Sequence, residues 1–187
     1  MDLRIKKTHE NLQNALLKLL KTKSLEDISV AELCRLATIN RGTFYLHYKN
    51  VHGVFERYFN EIVNDLRLSY EFPYDVTRQN ISELTPEMIQ IFHHVKKYEA
   101  FYRIVFDEQI PMTYYHKLFS IVRSFIRSSQ SLHDTPFSEK QSDYFVSFTA
   151  NSIIGIIIQW HYNDFEETPE QLNNFLMQCI QFKELNL

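Results

Sequence analysis

Arg41, Gly42, Thr43 and Tyr45 stand within five consecutive residues, with His47 and Lys49 just beyond. A guanidinium can fork onto the acceptor edge of a guanine or onto a phosphate. Thr43 and Tyr45 offer hydroxyls to phosphate oxygens, contacts that position a protein on a duplex without reading its sequence. Gly42 has no side chain, so the backbone there can come close to DNA. Ser29 and Asn40 each precede a helical pattern, and the open N–H groups of a helix start suit phosphate. The chemistry on offer is contact with a polyanion. Arrangements for catalysis are not visible: there is no phosphate loop, Gly-rich dinucleotide turn or nucleophile elbow. No catalytic residue and no cofactor is assigned, and the reading is not an enzyme. His93, His94, His116, His133 and His161 form no i, i+4 pair and have no accompanying Cys, so no metal site is expected. Adjacent His93 and His94 diverge by about 100° on a helix.

The elements that would carry these residues are helices. Leu12, Ala15, Leu16, Leu19 and Leu20 fall on one helical face, and that helix should stop near Lys21–Ser24. Ser29 and Glu32 have the spacing of a capping box, followed by an inner face of Val30, Leu33, Leu36 and Ala37. Asn40 caps a third helix from Arg41, with Phe44 and Tyr48 inward. Arg41, Thr43, Tyr45 and His47 are left to the other side. Two short helices joined by Thr38-Ile39-Asn40 make a helix-turn-helix pattern, whose second helix would enter the major groove. Asn50 caps a long fourth helix, expected to fade at Phe72-Pro73 because proline lacks a donor.

The remainder predicts further helices: one from Thr85-Pro86-Glu87 to about Lys97 with a restart at Tyr98, one opening at Pro111, one from the Ser138–Gln141 capping box, and one from Thr168-Pro169. With 3 Gly and 5 Pro in 187 residues, the chain cannot supply the left-handed turns of a sandwich or barrel. The fold class is all-α. Residues 1–60 hold 10 Lys/Arg against 6 Asp/Glu, and the rest hold 10 against 17. A basic first third facing a polyanion, joined to an acidic body, fits that split. Arg4, Lys6 and Lys7 would add a basic arm. Cys34 and Cys179 are too few for a disulfide framework and read as small core residues. No secretory leader is expected after Met1, and the apolar run Ile153–Ile158 is far short of the ~20 residues of a membrane span. A cytoplasmic setting with no membrane partner is the expectation.

The stretch from Leu25 to Ala37, followed by Ile39-Asn-Arg-Gly-Thr-Phe-Tyr-Leu-His-Tyr-Lys-Asn50, resembles the DNA-binding segment of the TetR/AcrR family of transcriptional regulators. The match covers roughly residues 8–60 and is most specific at Gly42-Thr43-Phe44-Tyr45 and Tyr48. The resemblance implies an all-helical homodimer with three N-terminal DNA-binding helices. It also implies a C-terminal body that binds a small effector and dimerises through its last two helices. It makes Arg41 and Gly42 base-edge or near-base positions, Thr43, Tyr45 and His47 phosphate contacts with Lys49 nearby, and Leu46 a groove-facing side chain. Two positions depart from the pattern. Thr38 stands where the family usually has Gly, and a β-branched residue at φ > 0 is strained, which points to another turn geometry. Val51 stands where a basic residue is usual, with His52 beside it as a substitute when protonated.

In the body, Phe101, Tyr102, Phe106, Tyr115, Phe119 and Trp160 are candidates for an apolar ligand pocket, with plain core packing the competing reading. Ile153 to Ile158 cover more than one helical face, and Gly155 inside that helix suits close approach of another backbone. With the stripe on the final helix, Ile153, Ile154, Ile157, Phe175, Leu176 and Cys179 become the candidate dimer interface. The division expected is 1–50 for helix-turn-helix DNA binding and 51–187 for regulation and dimerisation. The function expected is a repressor released from a near-palindromic operator by an effector. The alternative is a ligand-independent regulator or coactivator whose body binds a protein partner. Partners are thus double-stranded DNA, a second copy and an unidentified small molecule.

Overall fold

A computed structural model of the chain describes residues 3–77, 83–106, 112–128 and 137–186, and among them helices and turns account for all structure. Two compact units divide at Val63 and Asn64. The first unit contains α1 (Leu3–Leu20), α2 (Val30–Ala37), α3 (Arg41–His47) and the first half of α4 (Val51–Val76). A 3-10 turn at Leu25–Asp27 follows α1. Ser29 caps α2 by accepting the Glu32 N–H at 3.2 Å. The Glu32 carboxylate does not close the capping box, because it pairs with Lys23 at 2.6 Å. Asn40 accepts the Gly42 N–H at 2.8 Å, and Asn50 accepts the Gly53 N–H at 2.9 Å. Leu12, Leu16, Leu33, Phe44 and Val54 are fully enclosed at the centre of the unit. α3 has seven residues, too few to hold as a helix alone. Burial of Phe44, at roughly 1.5–3 kcal/mol, keeps it against α1 and α2.

Several sequence expectations change here. Leu36 is 44% exposed, because α2 turns Leu33, Cys34 and Ala37 inward and Leu36 lies to the side of that face. Arg4, Lys6 and Lys7 lie on the first turns of α1 rather than on an extended arm, and Lys6 stands 3.8 Å from Glu10. Thr38 does occupy the left-handed region, at φ 57° and ψ 43°. Its N–H and that of Ile39 close the end of α2 on the Arg35 and Cys34 carbonyls. α4 does not fade at Pro73 but continues to Val76. Proline removes one donor but not its acceptor, and the Thr77 N–H and hydroxyl both bond the Pro73 carbonyl.

The second unit begins within α4 and adds α5 (Ile91–Lys97), α6 (Glu99–Val105), α7 (Met112–Ser128), α8 (Glu139–Tyr162) and α9 (Pro169–Asn186). Thr85-Pro86 opens only a 3-10 turn, Pro86–Met88, and α6 is the predicted restart. The predicted helix start at Pro111 and the site reading of His133 lie outside the described residues. Ser138 and Gln141 form a complete capping box on α8. Thr168 and Gln171 exchange the same pair of bonds ahead of α9. α7 packs along α8, and α9 packs on α5 and the Pro86–Met88 turn. No described helix is long and apolar enough to cross a membrane.

Candidate nucleic-acid interface

The α2–turn–α3 segment divides its residues cleanly into two sides. Phe44 and Tyr48 are 0% and 8% exposed, whereas Tyr45 is 56% and Leu46 80% exposed. Arg41, Gly42, His47 and Lys49 are also exposed, and Thr43 is half-buried at the edge. The side left open therefore carries a guanidinium, a phenol, an imidazole and an ammonium around one leucine. An exposed apolar residue of that size has no packing role within its own unit. Ser29 and Asn40 are exposed, but their side chains are committed to capping. A Cβ added at Gly42 would meet only its own cap, the Asn40 Oδ1, at 3.4 Å. The absent side chain thus leaves open surface rather than solving an internal clash.

The two departures from the family pattern resolve differently. Val51 is 5% exposed and joins the core at the start of α4. His52 is exposed, with Nε2 4.0 Å from the Glu26 carboxylate, so part of any charge it carries is already answered. Cys34 is a small core residue, and burial pushes its thiol up. Cys179 is exposed, so the expectation of a core role fails there.

Behind the open side lies a polar cluster that sequence reasoning passed over. His9 of α1 is buried, and its Nδ1 stands 2.6 Å from the Tyr48 hydroxyl. Its ring meets the His47 ring edge-on at 5.1 Å. Burial, then the positive charges of Arg57 and His47, hold the His9 pKa below the usual histidine value, against Glu61. Burial also pushes the Tyr48 phenol up to about 12, so it remains a donor. Gln13 donates to Glu61 at 2.8 Å, and Arg57 does so at 3.1 Å. A signal was present: His9 and Gln13 share the helical spacing of Leu12, Leu16 and Leu20.

In the second unit the six pocket candidates do not form one site. Phe101, Tyr102 and Trp160 are at most 1% exposed. Tyr102 stacks on Phe106 at 5.8 Å, and Trp160 meets Phe92 and Phe165 edge-on at 6.1 and 5.1 Å. Their faces are filled by each other and by neighbours in the core. Tyr115 and Phe119 stack on α7 instead, and the Tyr115 hydroxyl donates to Asn151 of α8 at 2.8 Å. An open groove of about 520 Å³ on α7 is lined by His116, Lys117, Ser120, Ile121 and Ser124, none of them among the candidates.

The interface candidates separate as well. Ile154 and Ile157 are 1% and 3% exposed and belong to the unit's own core, so they leave the candidate contact surface. Ile153 and Leu176 are half-buried, while Phe175 and Cys179 are open. Tyr144, Phe148, Ser152, Gly155 and Tyr162 are exposed on one side of α8. A Cβ at Gly155 would meet nothing within 4 Å, so among the described residues no neighbouring backbone approaches there.

Residues 82–182 match the family model TetR_C_8, described as a transcriptional regulator C-terminal region. No curated protein matches by sequence. Among solved structures, a protein assigned to the TetR family of transcriptional regulators from Syntrophomonas wolfei has a TM-score of 0.69 at 13% identity, with 97% of each chain covered. The dihydroxyacetone kinase operon activator DhaS has a TM-score of 0.61 at 17% identity, covering 94% of this chain and 95% of its own. The fatty acid degradation regulator FadR from Bacillus halodurans has a TM-score of 0.56 at 15% identity, with coverages of 91% and 93%. At these identities the likeness is one of fold.

Proposed function

We propose that this chain, which belongs to the TetR-type transcriptional regulators, is a homodimeric repressor of a near-palindromic operator. The observation that carries the reading is the open side of α3. Arg41, Tyr45, Leu46, His47 and Lys49 face outward, while Phe44 and Tyr48 fix the helix from within. In this reading Arg41 reaches a base edge or a phosphate beside the bare backbone of Gly42. Thr43, Tyr45, His47 and Lys49 hold phosphates, and Leu46 touches a thymine methyl. The helix starts at Ser29 and Asn40 add backbone N–H groups. Operator reading by one small module is weak, and two copies on a two-fold axis reach successive grooves. The side of α8 bearing Phe148 and Gly155, with Phe175 and Cys179 of α9, supports self-association, since Gly155 leaves room that no other described residue uses.

Release would follow from population shift: an effector favours a conformer whose recognition helices are misplaced for the half-site spacing. α4 is the proposed lever, because the division between the two units falls inside it. The alternative, a ligand-independent regulator or coactivator whose body binds a protein, gains from the filled faces of Phe101, Tyr102 and Trp160. Selection of bound fragments from a random duplex pool, at low and moderate salt, tests the central reading. Enrichment of an inverted repeat is expected. Indifference to every duplex at low salt would overturn it.

A further inference from the structure

The inner stripe of α1 contains two residues that packing alone does not require, His9 and Gln13. His9 stands in helical register with Leu12, Leu16 and Leu20, and a leucine there would bury more apolar surface at less cost. A buried imidazole needs a partner, and His9 has the Tyr48 hydroxyl at 2.6 Å, 39 residues away in sequence. Tyr48 is the C-cap of α3, where the backbone leaves helical geometry at φ −138° and ψ 143°. Phe44 anchors the middle of α3 through apolar contact, which leaves rotation about that anchor open. The tie to Tyr48 closes off that rotation. The last residue of the helix, directly before that cap, is His47, whose ring lies edge-on to His9 at 5.1 Å and 69°.

We infer that His9 is a positioning residue for the contact side of α3: it pins the cap through the Tyr48 hydroxyl and sets the orientation of the His47 imidazole. The inference rests on the DNA-binding reading of α3. His9 itself touches no ligand, being buried behind the surface it orients. The groups facing it are His47 and Tyr48 from α3, and Arg57 and Glu61 from α4. Gln13 and Arg57 both donate to Glu61, which fixes that carboxylate beside the pair and keeps the cluster rigid.

The test is a thermodynamic cycle on a fixed random-sequence duplex at low salt, with full-length protein and anisotropy as the readout. His9→Leu should weaken binding roughly tenfold at a temperature where thermal unfolding shows the variant still fully folded, a loss that a merely structural role would not give. His47→Ala should weaken binding to a similar degree, and the double variant no further, because the two changes remove one arrangement. Tyr48→Phe should reproduce the loss without touching the fold. His9→Gln, which can still bond the hydroxyl, should restore most of the affinity. Multiplying losses from His9→Leu and His47→Ala, or wild-type binding by Tyr48→Phe, would overturn the inference alone. Wild-type protein that retains no duplex would overturn the reading beneath it.

Discussion

Thr38 holds a β-branched side chain on left-handed backbone, a conformation glycine adopts freely. The strain is on the order of 1–2 kcal/mol. It is tolerated because Leu33 and Ala37 before the turn and Phe44 after it are all buried, and only a tight reversal brings both sides inward. Thr38→Gly should therefore raise unfolding free energy by about 0.5–1 kcal/mol, the relief being partly offset by a more flexible unfolded chain. Denaturant titration checks this, with duplex affinity expected to stay at the wild-type value. On the open side of α3 two variants separate two kinds of contact. Arg41→Ala should lose preference at one base pair, costing about 1–3 kcal/mol at the preferred site. Tyr45→Ala should weaken all duplexes alike. Comparing preferred and scrambled duplexes reads both, and an equal loss with Arg41→Ala would assign the guanidinium to phosphate.

Among elements, α4, α5 and α6 are tied by a polar chain inside the second unit. The His94 side chain has no exposed surface. Its Nδ1 lies 2.7 Å from Asp65 and its Nε2 2.9 Å from the Tyr102 hydroxyl. Lys97 Nζ reaches the other Asp65 oxygen at 2.6 Å. Burial raises the Tyr102 phenol well beyond its usual value, so it is the donor to Nε2, and Nδ1–H donates to Asp65. Burial opposes ionisation of Asp65, but hydrogen bonds from Lys97 and His94 outweigh it and hold its pKa below the usual value. Burial lowers the His94 pKa despite Asp65. A folded pKa below the unfolded one means that the unfolded chain takes up the proton first as pH falls. The stabilisation from neutral His94 is then complete above about pH 6.5 and declines below it, at no more than about 1.4 kcal/mol per pH unit. His9 acts in the same direction in the first unit. Thermal unfolding followed from neutral to mildly acid pH should show the decline, and His94→Gln should flatten it while lowering stability throughout.

For the whole molecule, the proposed homodimer sets the question of which face of the body would meet a second copy. Ile157 is buried in its own core, so Ile157→Asp should unfold the second unit, by about 3 kcal/mol or more, instead of yielding a folded monomer. Phe148→Glu combined with Phe175→Glu places charge on side chains that are 58% and 49% exposed. That pair should give helical monomers by sedimentation, with duplex affinity falling because two half-sites can no longer be held together. A dimer that survives the pair would move the contact to another face.

The sequence by itself determined the all-α class, the caps at Ser29, Asn40, Asn50, Ser138 and Thr168, and the inward facing of Phe44 and Tyr48. Each of these depends on residues within about four positions of one another, where helical periodicity and capping chemistry operate. Only the tertiary structure decided which apolar faces are covered. Leu36 and Phe175 lie in the same kind of stripe as Leu33 and Leu172, yet only the latter pair are buried among the described residues. It likewise enclosed Ile154 and Ile157 and brought His9 to Tyr48. Those outcomes are set by contacts between segments far apart along the chain, and local spacing holds no record of which segment arrives.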